Sequence, residues 1–191
     1  MICVTPERLE GGRVKGSLLS AHLDYARDYG SRREFIDFFE EIPDALRRQV
    51  GALVPGVWYP FSSLIALDRL IIDRFGGGDV HFAEELGTYT AQRSYAAMSR
   101  FAGGPHEFFA RAPILHRDWY DFLSSEYVQS GERSGTMLHR GYRAHSRIDC
   151  GVMAGFYREG VRLHGGSDVA LREAACRCKA DSFCAFEIAW R

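Results

Sequence analysis

The residues best placed to do chemistry crowd the C-terminal end of this chain. Glu173-Ala-Ala-Cys176-Arg-Cys178 is followed closely by Cys184, and Cys150 lies upstream at the start of a predicted helix. Thiolates and carboxylates are zinc ligands, and zinc favours a tetrahedron of four such donors. If the segments around Cys176 and Cys184 form a hairpin, the two thiols meet, and a helix start delivers Cys150 to the same corner. Three thiolates and a carboxylate around a dication leave two surplus negative charges, which Arg172, Arg177 and Lys179 stand nearby to offset. The same cysteines read equally as small reduced core thiols, because seven residues between two cysteines is not a standard finger spacing. Cys178 is a spare, a substitute ligand or a redox partner of Cys176.

Aromatic side chains are the second candidate set. Phe108, Trp119, Tyr120, Tyr142, His145 and Phe156 could line an apolar pocket between helices and a sheet, with a few polar groups to orient a ligand. A stripe of Phe and Tyr at helical spacing is also ordinary core. Catalytic signatures are missing: the histidines form neither a His-Glu-x-x-His pair nor a finger spacing, and there is no nucleophile elbow, phosphate loop or dinucleotide fingerprint. Gly76-Gly77-Gly78 lacks the Lys and Ser/Thr of a phosphate cradle and reads as a helix stop. Glu40-Glu41 and Glu84-Glu85 read as solvated helix faces.

The positioning elements follow from periodicity. Val14 to Tyr29 has helical spacing and stops at Gly30, and Ser31-Arg-Arg-Glu34 fits a capping box at the next helix. Pro43 and Pro60 sit where first-turn prolines open helices, at Asp44 to Leu53 and Phe61 to Phe75. A long helix is predicted from about Val80 to Phe101 and another over His106 to Leu123, which Pro113 should kink or split. Tyr127 to Ser130 and Thr136 to His145 read as a hairpin, Ile148 to Leu163 as a helix, and Val169 to Cys176 and Phe183 to Trp190 as two strands. Gly151, Gly155 and Gly160 inside the predicted helix each cost up to about 1 kcal/mol relative to Ala. Something must approach that helix closely: a neighbouring element, or a ligand or partner chain.

Composition bounds the whole. The chain has 191 residues, 46% of them hydrophobic, with 24 basic against 25 acidic side chains. That composition excludes disorder and fibrous classes and suits one domain spanning 1–191, helical to about 124 and strand-rich from about 125. Balanced charge without a basic stripe argues against nucleic acid as a partner. Pro6, Glu7 and Glu10 interrupt any signal-peptide core, and Asp68 and Arg69 cut the most apolar window, Leu64 to Ile72. No membrane span is expected, and a cytoplasmic location follows.

Asp149-Cys150-Gly151, Gly155, Glu173-x2-Cys176-x7-Cys184-x-Phe186 resembles the C-terminal signature of the 4-vinyl reductase domain superfamily. That resemblance implies a structural zinc on Cys150, Glu173, Cys176 and Cys184, as in the aromatic-sensing domains of phenol-responsive activators. Lys179-Ala180-Asp181 stands where a small residue, usually Gly, is expected in the turn. Lys15-Gly16-Ser17, Trp58-Tyr59-Pro60-Phe61, Gly78-Asp79 and Leu86-Gly87 resemble a paralogous family abundant in myxobacteria, which lends no biochemical role. The implied fold is α/β (α+β), helices packed on an antiparallel sheet with a C-terminal zinc hairpin, as in TRAPP subunits and haem-dependent nitric oxide sensors. The Tyr-x-Ser-x-Arg motif of those sensors is absent, with only a loose echo at Tyr142 to Arg147, so haem is not expected.

The expectation is therefore a non-enzymatic, zinc-containing sensory module. It would bind a small hydrophobic or aromatic molecule and signal through a protein partner or a homodimer. The alternative is a TRAPP-like interaction scaffold without a ligand. An enzyme using His139 or His145 ranks third.

Overall fold

The computed structural model describes residues 7–98, 103–141 and 143–191. Helices occupy the first half: α1 (Gly16–Tyr29), α2 (Arg32–Glu41), α3 (Asp44–Val50), α4 (Phe61–Phe75), α5 (Ala83–Met98) and α6 (Pro105–Trp119). Two short strands, β1 (Arg13–Lys15) and β2 (Trp58–Pro60), pair antiparallel just ahead of α1 and α4, with Val14 opposite Tyr59. The second half holds β3 (Ser124–Gly131), β4 (Ser134–Arg140), α7 (Arg147–Leu163), β5 (Ala170–Ala175) and β6 (Cys184–Ala189). The sheet is antiparallel in the order β3-β4-β6-β5. The fold class is thus α/β, with helices on an antiparallel sheet.

Local signals account for many boundaries. Ser31 Oγ accepts from the Glu34 amide while the Glu34 carboxylate accepts from the Ser31 amide, the reciprocal cap read from the sequence. Gly76 ends α4, and Pro43 and Pro60 stand at the N-cap, one residue earlier than the first-turn position. Four expectations need correction. Val14 belongs to β1, because its backbone is taken by Tyr59 before the helix begins. The segment at Val80–Phe82 is a 3-10 turn capped by Asp79, and α5 starts only at Ala83. Pro113 stays inside an unbroken α6. Strand β4 ends at Arg140, and His145 instead pairs its backbone with Arg8. Of the long predicted helix, residues 99–101 lie outside the described part.

The core between α6, α7 and the sheet holds Phe109, Met137, Tyr157 and Phe186, all essentially inaccessible to solvent, and that among α1, α4 and α5 holds Leu19, Leu64, Ile65, Ile71 and Leu86. Helices α5 and α7 meet backbone to backbone. A Cβ on Gly155 would lie 1.9 Å from the Glu84 carbonyl oxygen, and one on Gly160 would lie 2.1 Å from the Phe108 ring. The close approach predicted from the glycines is made by α5 and by an aromatic of α6. No helix among the described residues is long and apolar enough to cross a membrane.

Candidate metal centre

The cysteines converge as their spacing suggested. Strand β6 begins at Cys184, whose register partner is His139 of β4, and β5 runs alongside β6 with Glu173 opposite Phe186. Residues three apart on a regular strand point to opposite faces, so Glu173 and Cys176 could not both face inward on an unbroken β5. A register shift between Glu173 and Ala175 resolves this, and both side chains turn toward α7. Ser146 caps α7 by accepting from the Ile148 amide, and Cys150 is carried in the first turns. Between the strands, Cys178 lies on a 3-10 turn ended by Ala180 at φ 71°, so alanine takes the left-handed conformation for which glycine was expected.

Cys150 Sγ lies 3.7 Å from Cys176 Sγ, and the thiols of Cys150, Cys176 and Cys178 all lie within 4.8 Å of one another. Two sulfurs, each about 2.3 Å from a tetrahedral zinc, are about 3.8 Å apart. Cys184 contacts both Cys150 and Cys176, and its sulfur accepts from the Arg177 amide at 3.3 Å. All four thiols are buried and unoxidised. Hydrogen bonding from Cys150, then from Cys178 and Cys184, holds Cys176 far below the ordinary thiol range, while the bond to Cys176 pushes Cys150 up. Glu173 sits beside them. Its Oε2 accepts from Arg147 at 2.5 Å and from Lys179 Nζ at 2.7 Å, and its buried Oε1 has no hydrogen-bond partner. This donor set and geometry fit a thiophilic metal ion.

A second polar cluster escaped the sequence. His116 Nδ1 and Ser125 Oγ are 2.8 Å apart, Ser125 Oγ and His139 Nδ1 2.8 Å, His139 Nε2 and Tyr157 Oη 2.6 Å, and Tyr157 Oη and His116 Nε2 3.2 Å. The ring is satisfied, each of the four groups donating once and accepting once, with both imidazoles neutral. Burial keeps them so, pushing His116 well below its ordinary value, with His139 adding to the fall, and pushing His139 down to about 3. The one signal available beforehand was the alternation of Met137 and His139 on the inward face of β4.

The aromatic candidates take separate places. Phe108 and Phe156 are buried with ring centroids 5.8 Å apart, and Trp119 meets Phe156 edge-on at 5.5 Å. Tyr120 donates to Asp149 at 3.0 Å, where burial, with Asp68 adding to it, lifts the Asp149 carboxyl to about 7. His145 is at the Arg8 bridge, and Tyr142 lies outside the described residues. Trp119 also lines an open groove of about 240 Å³ with Leu18, Ala21, Pro55, Thr90 and Arg93.

No protein-family profile matches the chain, and no curated protein sequence does. Solved structures do match. An H-NOX protein from S. oneidensis in the Fe(II)NO ligation state superposes with a TM-score of 0.70 at 11% identity, covering 93% of this chain and 99% of that one. The Fe(II) unliganded H-NOX protein from K. algicida gives 0.65 at 13%, with coverages of 93% and 96%. An oxygen-binding H-NOX domain related to soluble guanylate cyclases gives 0.67 at 10%, with 93% and 95%. The chain therefore has an H-NOX-like fold.

Haem, which that fold implies, does not fit the residues present. It needs an axial side chain facing a slot as wide as the macrocycle. Both nitrogens of His116 and of His139 are engaged in the ring, and His22, held through Nδ1 by Asp68 at 2.6 Å, keeps an unpartnered Nε2 but is fully buried, as is Asp68. The α5–α7 contact is already too close for a methyl group. The cavity beside the thiols, lined by Arg147, Cys150, Arg158 and Glu173 among others, is about 140 Å³, below the roughly 300 to 1,000 Å³ of small-molecule pockets.

Proposed function

We propose that this chain is a non-catalytic sensory module, an H-NOX-like fold of the 4-vinyl reductase type. A structural zinc at the thiol cluster ties the β5–β6 hairpin to α7, and a small hydrophobic or aromatic molecule is the signal. The observation that carries the reading is the meeting of the Cys150 thiol of α7 with Cys176 and Cys178 of the β5–β6 connection, Cys150 and Cys176 standing at tetrahedral spacing. A metal there supplies no reaction. It adds folding free energy by joining elements distant in sequence.

Of the similar structures, one is in the Fe(II)NO ligation state and another is an oxygen complex. Since haem does not fit here, the ligand is assigned to the Trp119 groove between α1 and α5, whose exposed wall is more apolar than polar and whose polar side carries Thr90 and the Arg93–Asp24 ion pair. At about 240 Å³ the groove is short of a typical small-molecule pocket, so only a small aromatic could enter it. A ligand binding there acts by favouring one packing of α1 on α5 over another, a population shift that needs different affinities for the two states. The signal leaves through contact with another chain, a second copy or a partner.

Native mass spectrometry of the reduced protein tests this in one spectrum. One zinc per chain with an added small-molecule mass is expected. Zinc without a small molecule moves the reading to a ligand-free scaffold, and a bare chain with free thiols overturns the metal centre.

A further inference from the structure

The thiol cluster offers five donors for four tetrahedral positions: Cys150, Cys176, Cys178, Cys184 and Glu173. We infer that four thiolates hold the metal, with Cys178 as a ligand and Glu173 outside the coordination shell as a clamp on Arg147 and Lys179. This rests on the metal-centre reading above and states which side chains fill that centre.

Three observations carry it. The first is proximity. The Cys178 thiol joins Cys150 and Cys176 within a 4.8 Å group that no carboxylate oxygen of the described residues enters, and Cys184, outside that group, is tied to it by its contacts with Cys150 and Cys176. Glu173 also touches Cys176. The second is that the loop carrying Cys178 is fixed. The Lys179 amide donates to the Cys176 carbonyl at 2.8 Å, and the Asp181 carboxylate accepts from the Cys176 amide at 2.7 Å. Cys178 is completely buried, so its sulfur is directed inward by a short, pinned turn rather than by a mobile one. The third is charge. Four thiolates around a dication leave two negative charges, and Arg147, Arg177 and Lys179 set against Glu173 and Asp181 leave one positive charge to offset part of it. Glu173 already spends one oxygen on two cations, the clamp role assigned to it.

The free Oε1 of Glu173 makes it the competing ligand, and the experiment separates the two. Zinc X-ray absorption would be recorded on the full chain loaded with zinc under reducing conditions, as wild type, Cys178→Ser and Glu173→Gln. The wild type is expected to show a single shell of four sulfurs at about 2.3 Å, and Cys178→Ser three sulfurs with one light atom at about 2.0 to 2.2 Å. Glu173→Gln should keep four sulfurs. A wild-type shell of three sulfurs and one oxygen, unchanged in Cys178→Ser and altered in Glu173→Gln, would overturn the assignment. Should a variant fail to fold, the wild-type shell decides alone. Failure of the reduced chain to take up any zinc overturns the metal centre itself, and is seen before any ligand is counted.

Discussion

Gly87 of α5 lies against the backbone of Val152 in α7 so closely that a Cβ on it would sit 1.9 Å from the Val152 carbonyl oxygen. The α5–α7 contact therefore depends on a missing side chain on each helix, Gly87 on one and Gly155 on the other. Backbone cannot rotate away as a side-chain tip can. Gly87→Ala is expected to destabilise the protein by about 1 to 3 kcal/mol, the usual cost of overpacking. Denaturant unfolding checks it, and wild-type stability would mean that the helices stand further apart.

Tyr157 closes the ring through His116 and His139. Tyr157→Phe keeps the aromatic volume but strands the Nε2 atoms of two buried imidazoles. A loss of about 1 to 3 kcal/mol is expected, read from the unfolding midpoint. The Phe109 and Phe186 ring contacts of Tyr157 should persist, so the fold should remain.

The same ring sets a pH dependence. His116 and His139 are depressed by burial in the folded state, while in the unfolded chain they take up protons near pH 6.5. Their contribution is complete above about 6.5 and is lost as pH falls toward the folded values, because the unfolded state then binds more protons. Asp149, raised to about 7, acts with the opposite sign, since its folded form keeps a proton that the unfolded chain releases above about 4. Between about pH 4 and 6.5 the two histidines outweigh the one carboxyl, so stability should fall as pH drops through this range. Imidazole NMR should show neither His116 nor His139 titrating between pH 8 and 5. A midpoint near 6.5 at either would refute the neutral, buried state of the ring.

Ser31 holds the start of α2 through the Glu34 amide. Ser31→Ala should cost about 1 kcal/mol, and Ser31→Gly less, since Gly is itself a tolerated N-cap. Thermal unfolding of the two variants checks the order.

By itself the sequence determined the features whose causes lie within a few residues. The capping box at Ser31 and Glu34, the glycine stop after Phe75, the inward face of Cys184, Phe186 and Ile188, and a hairpin that brings Cys176 toward Cys184 all follow from local propensity and period. The glycines of α7 also announced a close neighbour. What only the tertiary structure decided depends on register and helix approach. Cys178 enters the thiol group, and Glu173 shares a face with Cys176, because of one register shift in β5 and one left-handed turn at Ala180. The ring of His116, Ser125, His139 and Tyr157 needs α6, β3, β4 and α7 to meet at one point, and no residue type at any of these positions announces the other three. Tertiary packing also placed Phe108 and Phe156 in the core and left Trp119 at a groove. Aromatic spacing alone is the same for a pocket wall and for a filled interior, and what separates them is how near the opposite helix stands.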